Sequence, residues 1–245
     1  MKAYSSDDII RIIKAKLEVD TRINLHSSSI SVRLENNYVV LEGQVDNIAE
    51  KRAAVDSAKR ALAGQPPFSF IDLLHVRPAE HKENLELQQR VVLALQDEPV
   101  FRDYSLLTKV ADKTETVRDM GPGGRIIMAT IGDGGITLSG QVESLSHRRL
   151  TEVLMWWTNG CEFVDNRLEV VPPEEDTDNE ITDAVRIVLE KDPLVHASQL
   201  LVGTAGGVVV LNGSVASEEE KKLATLDAWY VPGVGDVVDR IEARD

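Results

Sequence analysis

The sequence is poor in several features that usually reveal a protein's chemistry. Its 245 residues include one cysteine, Cys161, which excludes an internal disulfide and a multi-cysteine metal site. We interpret Cys161 as a small buried hydrophobic residue. Aromatic residues make up only 4% of the chain, so the cores should consist mainly of Ile, Val, Leu and Ala. No apolar run approaches the roughly 20 residues of a membrane-spanning helix.

Positive charge is also scarce. Lysine and arginine number 27 against 41 aspartate and glutamate residues, which gives a formal net charge of −14. This balance argues against nucleic acid as a partner. Residues 1–8 lack the apolar stretch of a secretory signal. We therefore expect a cytoplasmic protein without a transmembrane segment.

What the chain does contain is a segment repeated three times. LEGQV at residues 41–45, LSGQV at 138–142 and LNGSV at 211–215 each end an apolar run and precede an amphipathic one. Such a repeat makes a module of about 70 to 90 residues the unit of folding. The predicted modules are residues 1–78, 79–173 and 174–245.

Each module has the pattern α-β-β-α-β. In the first, Ile9, Ile13 and Leu17 recur every four residues, which predicts a helix with one buried side. Alternating residues around the polar pair Asn36–Asn37 then predict a hairpin, followed by a second helix and a closing strand. The predicted fold class is therefore α+β, with three tandem modules, each a small mixed sheet with two helices on one face.

Glycines and helix caps recur at matching positions. We expect a glycine at the end of each hairpin to permit a backbone conformation or close approach that a side chain would block. These glycines are Gly43, Gly140 and Gly213. Asn47 stands three residues before Glu50, the spacing of a capping box in which each side chain bonds the other's free N–H. The equivalent pairs are Ser217 with Glu220 and, more weakly, Ser144 with His147.

Each second helix then carries a basic pair at a shared register. The pairs are Lys51 with Arg52, Arg148 with Arg149, and Lys221 with Lys222. They are candidates for contact with an anion or a phospholipid headgroup. The alternative is that they are solvated charges on an exposed helix, and their position one turn into the helix favours that interpretation.

Two aromatic pairs, late in the second helices of modules two and three, form a further candidate binding surface. They are Trp156 with Trp157 and Trp229 with Tyr230. Indole and phenol rings suit a membrane boundary or a protein partner. The alternative, which we favour, places one ring of each pair in a core and the other between modules. Module one has Lys59 and Arg60 there instead, which argues against a membrane-binding surface common to all modules.

Module two departs from the repeat by an insertion at about residues 108–131. Ser105 and Gly140 lie 35 residues apart, whereas the equivalent residues of module three, Ser198 and Gly213, lie 15 apart. We expect a lengthened hairpin, with a strand at 125–130 and a mobile polar arm at 111–124. Long loops of this kind are either functional or disordered.

Nothing in the sequence predicts catalysis, a cofactor or a metal site. The histidines lack metal-ligand spacing such as HExxH, and no serine lies in a G-x-S-x-G turn. The glycine clusters at 121–124 and 203–207 lack the lysine and hydroxyl residue of a phosphate-binding loop. The acidic run at 174–178 is typical of a charged linker, as are the proline pairs Pro66–Pro67 and Pro172–Pro173.

The three hairpin segments, the basic pairs and the late glycine-valine segment at 232–239 together resemble the BON domain. This bacterial module is named for osmotically induced and nodulation proteins. The resemblance covers nearly the whole chain and implies an α-β-β-α-β fold without catalytic activity. It also implies attachment to phospholipid surfaces or other envelope components, and a stress-related role. A periplasmic location is the family-based alternative to the cytoplasm.

Charge decides the order of the candidate partners. A chain of net charge −14 should be repelled by anionic leaflets, so we rank protein association ahead of direct phospholipid binding. Recognition of a small ion or solute by backbone groups in the glycine turns is a third hypothesis. The sequence thus predicts a binding or scaffolding protein with no enzyme activity.

Overall fold

A computed structural model of the protein describes residues 5–35, 38–63, 68–77, 84–131 and 134–244. The chain divides into two compact units, Met1–Arg77 and Pro78–Asp245. The polar pair Asn36–Asn37 and the linker at Pro66–Pro67 lie outside the described residues.

The first unit is a single α-β-β-α-β module. Its elements are α1 (Ser6–Glu18), β1 (Ser29–Glu35), β2 (Tyr38–Val45), α2 (Ile48–Ala61) and β3 (Ser69–Val76). The central strand β2 is antiparallel to β1 and parallel to β3. Ile9, Ile13 and Leu17 lie on one side of α1 and share a buried core with Val39 and Leu41 of β2.

The second unit contains two further modules. The elements of module two are α3 (Asn84–Gln96), β4 (Ser105–Val110), β5 (Lys113–Arg118), β6 (Arg125–Ile131), β7 (Gly135–Val142), α4 (Leu145–Trp157) and β8 (Phe163–Val170). Those of module three are α5 (Asp178–Lys191), β9 (Leu200–Ala205), β10 (Val208–Val215), α6 (Glu218–Tyr230) and β11 (Asp236–Ala243). The predicted α+β fold of tandem modules is confirmed, while the boundaries after residues 78 and 173 stay predictions.

The same strand pairing recurs in both modules of the second unit. β10 is antiparallel to β9 and parallel to β11. In module two, β7 is antiparallel to β6 and parallel to β8. A first helix, a glycine-ended hairpin, a crossover helix and a parallel closing strand thus make up each repeat.

The extra residues of module two extend its sheet to the order β5-β4-β6-β7-β8. β4 is parallel to β6 and antiparallel to β5. Part of the segment for which we expected a mobile arm is therefore an edge strand. Arg118 helps to hold β5 at this edge, because its Nε donates to the carbonyl of Tyr104 at 3.0 Å and its Nη2 to the carbonyl of Phe101. These bonds attach the end of β5 to the chain that follows α3.

Candidate functional site

The repeated glycines allow close approach of two strands. At Gly213 the backbone φ is +139°, and an added Cβ would lie 2.1 Å from the carbonyl oxygen of Gln199. The same clash would arise at Gly43 with Ser29 and at Gly140 with Arg125. A side chain at these positions would force the hairpin strands apart.

The first member of each basic pair contacts the closing strand of its own module. Nζ of Lys51 lies 2.8 Å from Oδ1 of Asp72, and it also bonds the carbonyl of Leu74. The equivalent contacts are Arg148 with Asn166 and Lys221 with Asp239. The side chain of Lys51 is only 8% exposed. These three basic groups therefore join a helix to a strand within each module.

The second members of the basic pairs differ from one another. Arg149 lies at the junction of modules two and three, where its side chain is 4% exposed. Its Nε donates to the carbonyl of Pro232 at 2.9 Å, and its Nη2 pairs with the carboxylate of Asp176. Arg52 is half-buried and Lys222 is exposed. Arg149 therefore connects the two modules.

Each aromatic pair contains one buried ring and one half-buried ring. Trp156 and Trp229 are 8% and 6% exposed. Trp157 and Tyr230 are half-buried at the junction of modules two and three. Trp157 interacts with Asp227 of module three, and Tyr230 interacts with Cys161 of module two. The outer ring of each pair thus belongs to the same junction as Arg149.

Asp227 is a buried acid at this junction. It is 3% exposed, and its Oδ2 atom has no hydrogen-bond partner among the described residues. Burial and the nearby carboxylate of Asp192 raise the pKa of Asp227 to about 8, although the indole of Trp157 opposes the shift. Burial, with Asp227 close by, also raises the pKa of Tyr230 to about 12. Burial therefore favours the neutral, protonated form of Asp227.

A buried glutamate at the start of the second helix holds the preceding loop in module one. Asn47 accepts the backbone N–H of Glu50 at 2.9 Å, as the predicted capping box requires. The reciprocal bond is replaced, because the Glu50 carboxylate accepts the N–H groups of Asn24 at 2.7 Å and Asp46 at 2.9 Å. The hydroxyl of Ser28 is a third donor, at 2.8 Å.

Module three repeats this arrangement with Glu220. Its carboxylate accepts the N–H of His196 at 2.7 Å and that of Ala216 at 2.9 Å. Burial acts to raise the pKa of Glu220, but these N–H groups and the His196 ring outweigh it and lower the pKa. A charged carboxylate is therefore stable in the interior.

Module two holds the equivalent loop with different side chains. His147 occupies the position of the glutamate, and its Nδ1 lies 2.6 Å from the hydroxyl of Tyr104. That hydroxyl accepts the backbone N–H of Glu143 at 2.9 Å, which is the bond that the glutamates make in the other modules. Phe101 packs edge-on against both rings.

Sequence reasoning missed several of these residues, although some carry a readable signal. Asp72, Asn166 and Asp239 stand at the same register of the three closing strands and each accepts an N–H two residues later. Their repetition is visible in the sequence. By contrast, no local pattern indicates that Lys191 contacts Glu98 at 2.7 Å, because the two residues lie 93 positions apart.

Exposed apolar side chains occur on the sheet faces opposite the cores. In module three, Leu201 is 73% and Val238 is 36% exposed, on two outer strands of the sheet. In module one, Tyr38 is 47% exposed, and Ile71 and Leu73 are each 38% exposed. These side chains are available for contact with a partner.

Module two carries a groove of about 490 Å³ beside its inserted strands. Its walls come from α3 and from the β4–β5 hairpin. The lining residues are Gln88, Gln89, Val92, Leu93, Thr108, Glu115 and Val117. Leu93 is 54% exposed. The groove is thus a partly apolar surface. It is specific to module two, because the described residues of the other modules contain no inserted hairpin to form its second wall.

The described part of the chain has neither a cluster of metal-binding side chains nor a membrane-spanning helix. Within it, no three histidine, cysteine, aspartate or glutamate side chains come together in a group able to hold a metal ion. No helix in these same residues has the length and apolar character needed to cross a membrane.

The chain is thus a protein of three tandem modules built on one α-β-β-α-β pattern, with buried polar contacts inside and exposed apolar side chains on the sheet faces. The sequence model of the BON domain matches the chain over residues 5–65, 109–172 and 177–245. The chain therefore belongs to the BON domain family, which confirms the resemblance found in its sequence. A comparison with curated proteins finds no match.

Among solved structures, the chain is similar to the C-terminal domain of CdsD, the structural protein of the type III secretion system of Chlamydia trachomatis. The sequence identity is 14%, the match covers 99% of this chain and 100% of that one, and the TM-score is 0.25. A second CdsD structure from the same organism has 14% identity, coverage of 97% and 92%, and a TM-score of 0.24.

Proposed function

We propose that this protein is a non-catalytic binding or scaffolding protein that acts through association with other proteins. The observation that carries this proposal is the placement of its charged and apolar groups. Lys51 and Arg149 are buried in internal contacts, whereas Leu201 and Ile71 project from sheet faces into solvent. Apolar side chains on an accessible sheet face favour a protein partner.

The alternative, direct attachment to a phospholipid surface, has less support. Lys51, Arg148 and Lys221 contact their own closing strands, so their charge is partly compensated within each module. Attraction to anionic lipid depends on basic groups that remain available near the membrane. The net charge of −14 opposes such attraction. Membership of the BON family supports both forms of binding and does not support an enzyme activity.

Position-specific crosslinking in the native cell tests the proposal. A photoreactive residue at Leu201 or Ile71 should give protein adducts of defined mass, whereas the same residue at exposed Lys222 should give few. Liposome co-sedimentation of the purified chain provides the second measurement. Salt-sensitive pelleting with anionic but not neutral liposomes, without position-dependent adducts, would replace protein association by lipid attachment.

Location and small-ligand binding need separate measurements. Cytoplasmic placement and the envelope alternative both stay predictions, and cell fractionation with an antibody against the chain decides between them. Binding of a small ion or solute in the glycine turns should raise the melting temperature of the chain, and the rise should increase with the logarithm of the ligand concentration above Kd. A thermal-shift screen of common ions therefore tests this third hypothesis.

A further inference from the structure

The inserted strand β5 is a well-held edge of the five-stranded sheet. In the part of the chain that the structure describes, it pairs with β4 on one side and no strand follows it on the other. Arg118 fixes one end of β5 to the carbonyls of Phe101 and Tyr104. An edge strand presents a row of N–H and C=O groups that can pair with another chain. β5 is thus an ordered template rather than a loose arm.

The groove beside β5 lies where the side chains of an added strand would point. Thr108 and Glu115 are cross-strand partners and both line the groove, so this face of the hairpin is the one directed at α3. A strand added to β5 would continue the sheet over the exposed side of α3. Every second side chain of that strand would then meet Leu93 and Val117.

The charge of the groove indicates which peptide it suits. Glu115 is the one charged residue in the lining, its side chain is exposed, and its carboxylate forms no ion pair or hydrogen bond among the described residues. A lysine or arginine on the added strand would pair with it. The net charge of −14 would also speed the encounter with a basic partner.

We propose that β5 and its groove bind an extended, basic segment of a partner protein by strand addition. This proposal rests on the proposed function, protein association, and names the site and the chemistry of the partner. Backbone hydrogen bonds along β5 would supply affinity, while apolar side chains against Leu93 and a basic side chain at Glu115 would supply specificity.

A synthetic peptide probes the site directly. In the first peptide, threonine alternates with valine, leucine and lysine, so that one face is apolar and basic; in the second, glutamate replaces lysine. The full chain is titrated with each peptide, with amide chemical shifts of residues 113–118 and fluorescence anisotropy as readouts. The variants are Leu93→Ser, which removes an apolar contact without adding charge, and Glu115→Lys. Leu201→Ser is the matched control, because it makes the same substitution at an exposed leucine of module three.

We expect the lysine peptide to shift the amides of 113–118 and to bind Leu93→Ser about tenfold more weakly, with Leu201→Ser unchanged. Glu115→Lys should prefer the glutamate peptide, which a merely structural role of Glu115 would not produce. Circular dichroism checks that each variant is folded. Absence of amide shifts at 113–118, or equal binding by Leu93→Ser and the unaltered chain, overturns the proposal.

Failure of this site is distinguishable from failure of protein association as a whole. If the peptides do not bind but crosslinks at Leu201 or Ile71 persist, the chain associates with proteins through its sheet faces and the β5 site is wrong. If the crosslinks are also lost, the proposed function itself fails.

Discussion

The hydroxyl group of Tyr104 lies 2.6 Å from Nδ1 of His147, in the place that a buried glutamate carboxylate takes in the other two modules. Burial raises the pKa of Tyr104 and lowers the pKa of His147. Both groups are therefore neutral near pH 7. Module two thus holds its loop with a neutral pair of side chains, whereas the other modules use the carboxylates of Glu50 and Glu220.

Tyr104→Phe tests the importance of this contact. The variant keeps the ring but leaves the N–H of Glu143 and the ring nitrogen of His147 without their partner. We expect a loss of about 1–2 kcal/mol in the free energy of unfolding, measured by urea denaturation. Tyr38→Phe is the matched control, since that ring is 47% exposed. An equal effect of the two substitutions would mean that the Tyr104 hydroxyl adds no stability.

Asp227 gives the protein a specific dependence on pH. The folded protein keeps a proton on Asp227 up to a pKa of about 8, whereas the unfolded chain releases it near the ordinary value of 3.8. Stability from this group is therefore greatest at low pH and falls as the pH rises from about 4 to about 8. Asp227→Asn removes the titration and should exceed the unaltered protein at pH 8 by at least ~1 kcal/mol.

The measurement is urea unfolding of both proteins between pH 4 and pH 9. The advantage of Asp227→Asn should diminish toward pH 4. Asp183→Asn is a suitable control, because the Asp183 side chain is 61% exposed on α5. Parallel pH profiles for Asp227→Asn and the unaltered protein would exclude titration of Asp227 in this range.

Arg149→Ala should weaken the junction of modules two and three. The substitution removes the bond to the Pro232 carbonyl and the ion pair with Asp176, and it leaves a space in a buried site. We expect a loss of about 1–3 kcal/mol in unfolding free energy. Hydrogen exchange should also accelerate at the amides of Val234 and Gly235. Lys222→Ala, at the equivalent but exposed position of module three, should change neither quantity.

Gly213→Ala should disrupt the hairpin of module three. A Cβ at this position would lie 2.1 Å from the Gln199 carbonyl oxygen, at a backbone φ of +139°. We expect a loss of at least ~2 kcal/mol or failure to fold. Gly203→Ala in the same hairpin should change stability by less than ~0.5 kcal/mol, because its Cβ would meet open space. Thermal unfolding of the two variants gives the comparison, and similar midpoints would contradict it.

Much of the fold is readable from the sequence because its determinants are local. Ile13 and Leu17 lie on a helical stripe, and both are buried as the stripe predicts. The caps Asn47 and Ser217 accept the predicted N–H groups. These features depend on residues three or four positions apart, so a single segment contains all the information.

The inserted strand and the module junction, by contrast, could not be predicted from local sequence patterns. β5 has the sequence KTETVR, which lacks the apolar alternation of a buried strand because it lies at the sheet edge. Arg149 reads as an exposed helix charge, since the carbonyl that buries it belongs to Pro232, 83 residues later. Long-range contacts of this kind leave no periodic pattern in the sequence.

The strand pairing within each repeat has a consequence for how such a chain can change over time. β2 and β10 each have both neighbours within their own module, so duplicating or removing a whole repeat would leave no strand without its partner. Duplication of one repeat would therefore lengthen the array, and deletion of one repeat would shorten it, each in a single step. The third repeat is an exception, because the buried guanidinium of Arg149 in the second repeat is bonded to it. Loss of the last repeat alone would expose its binding pocket, so the second and third repeats should be inherited together.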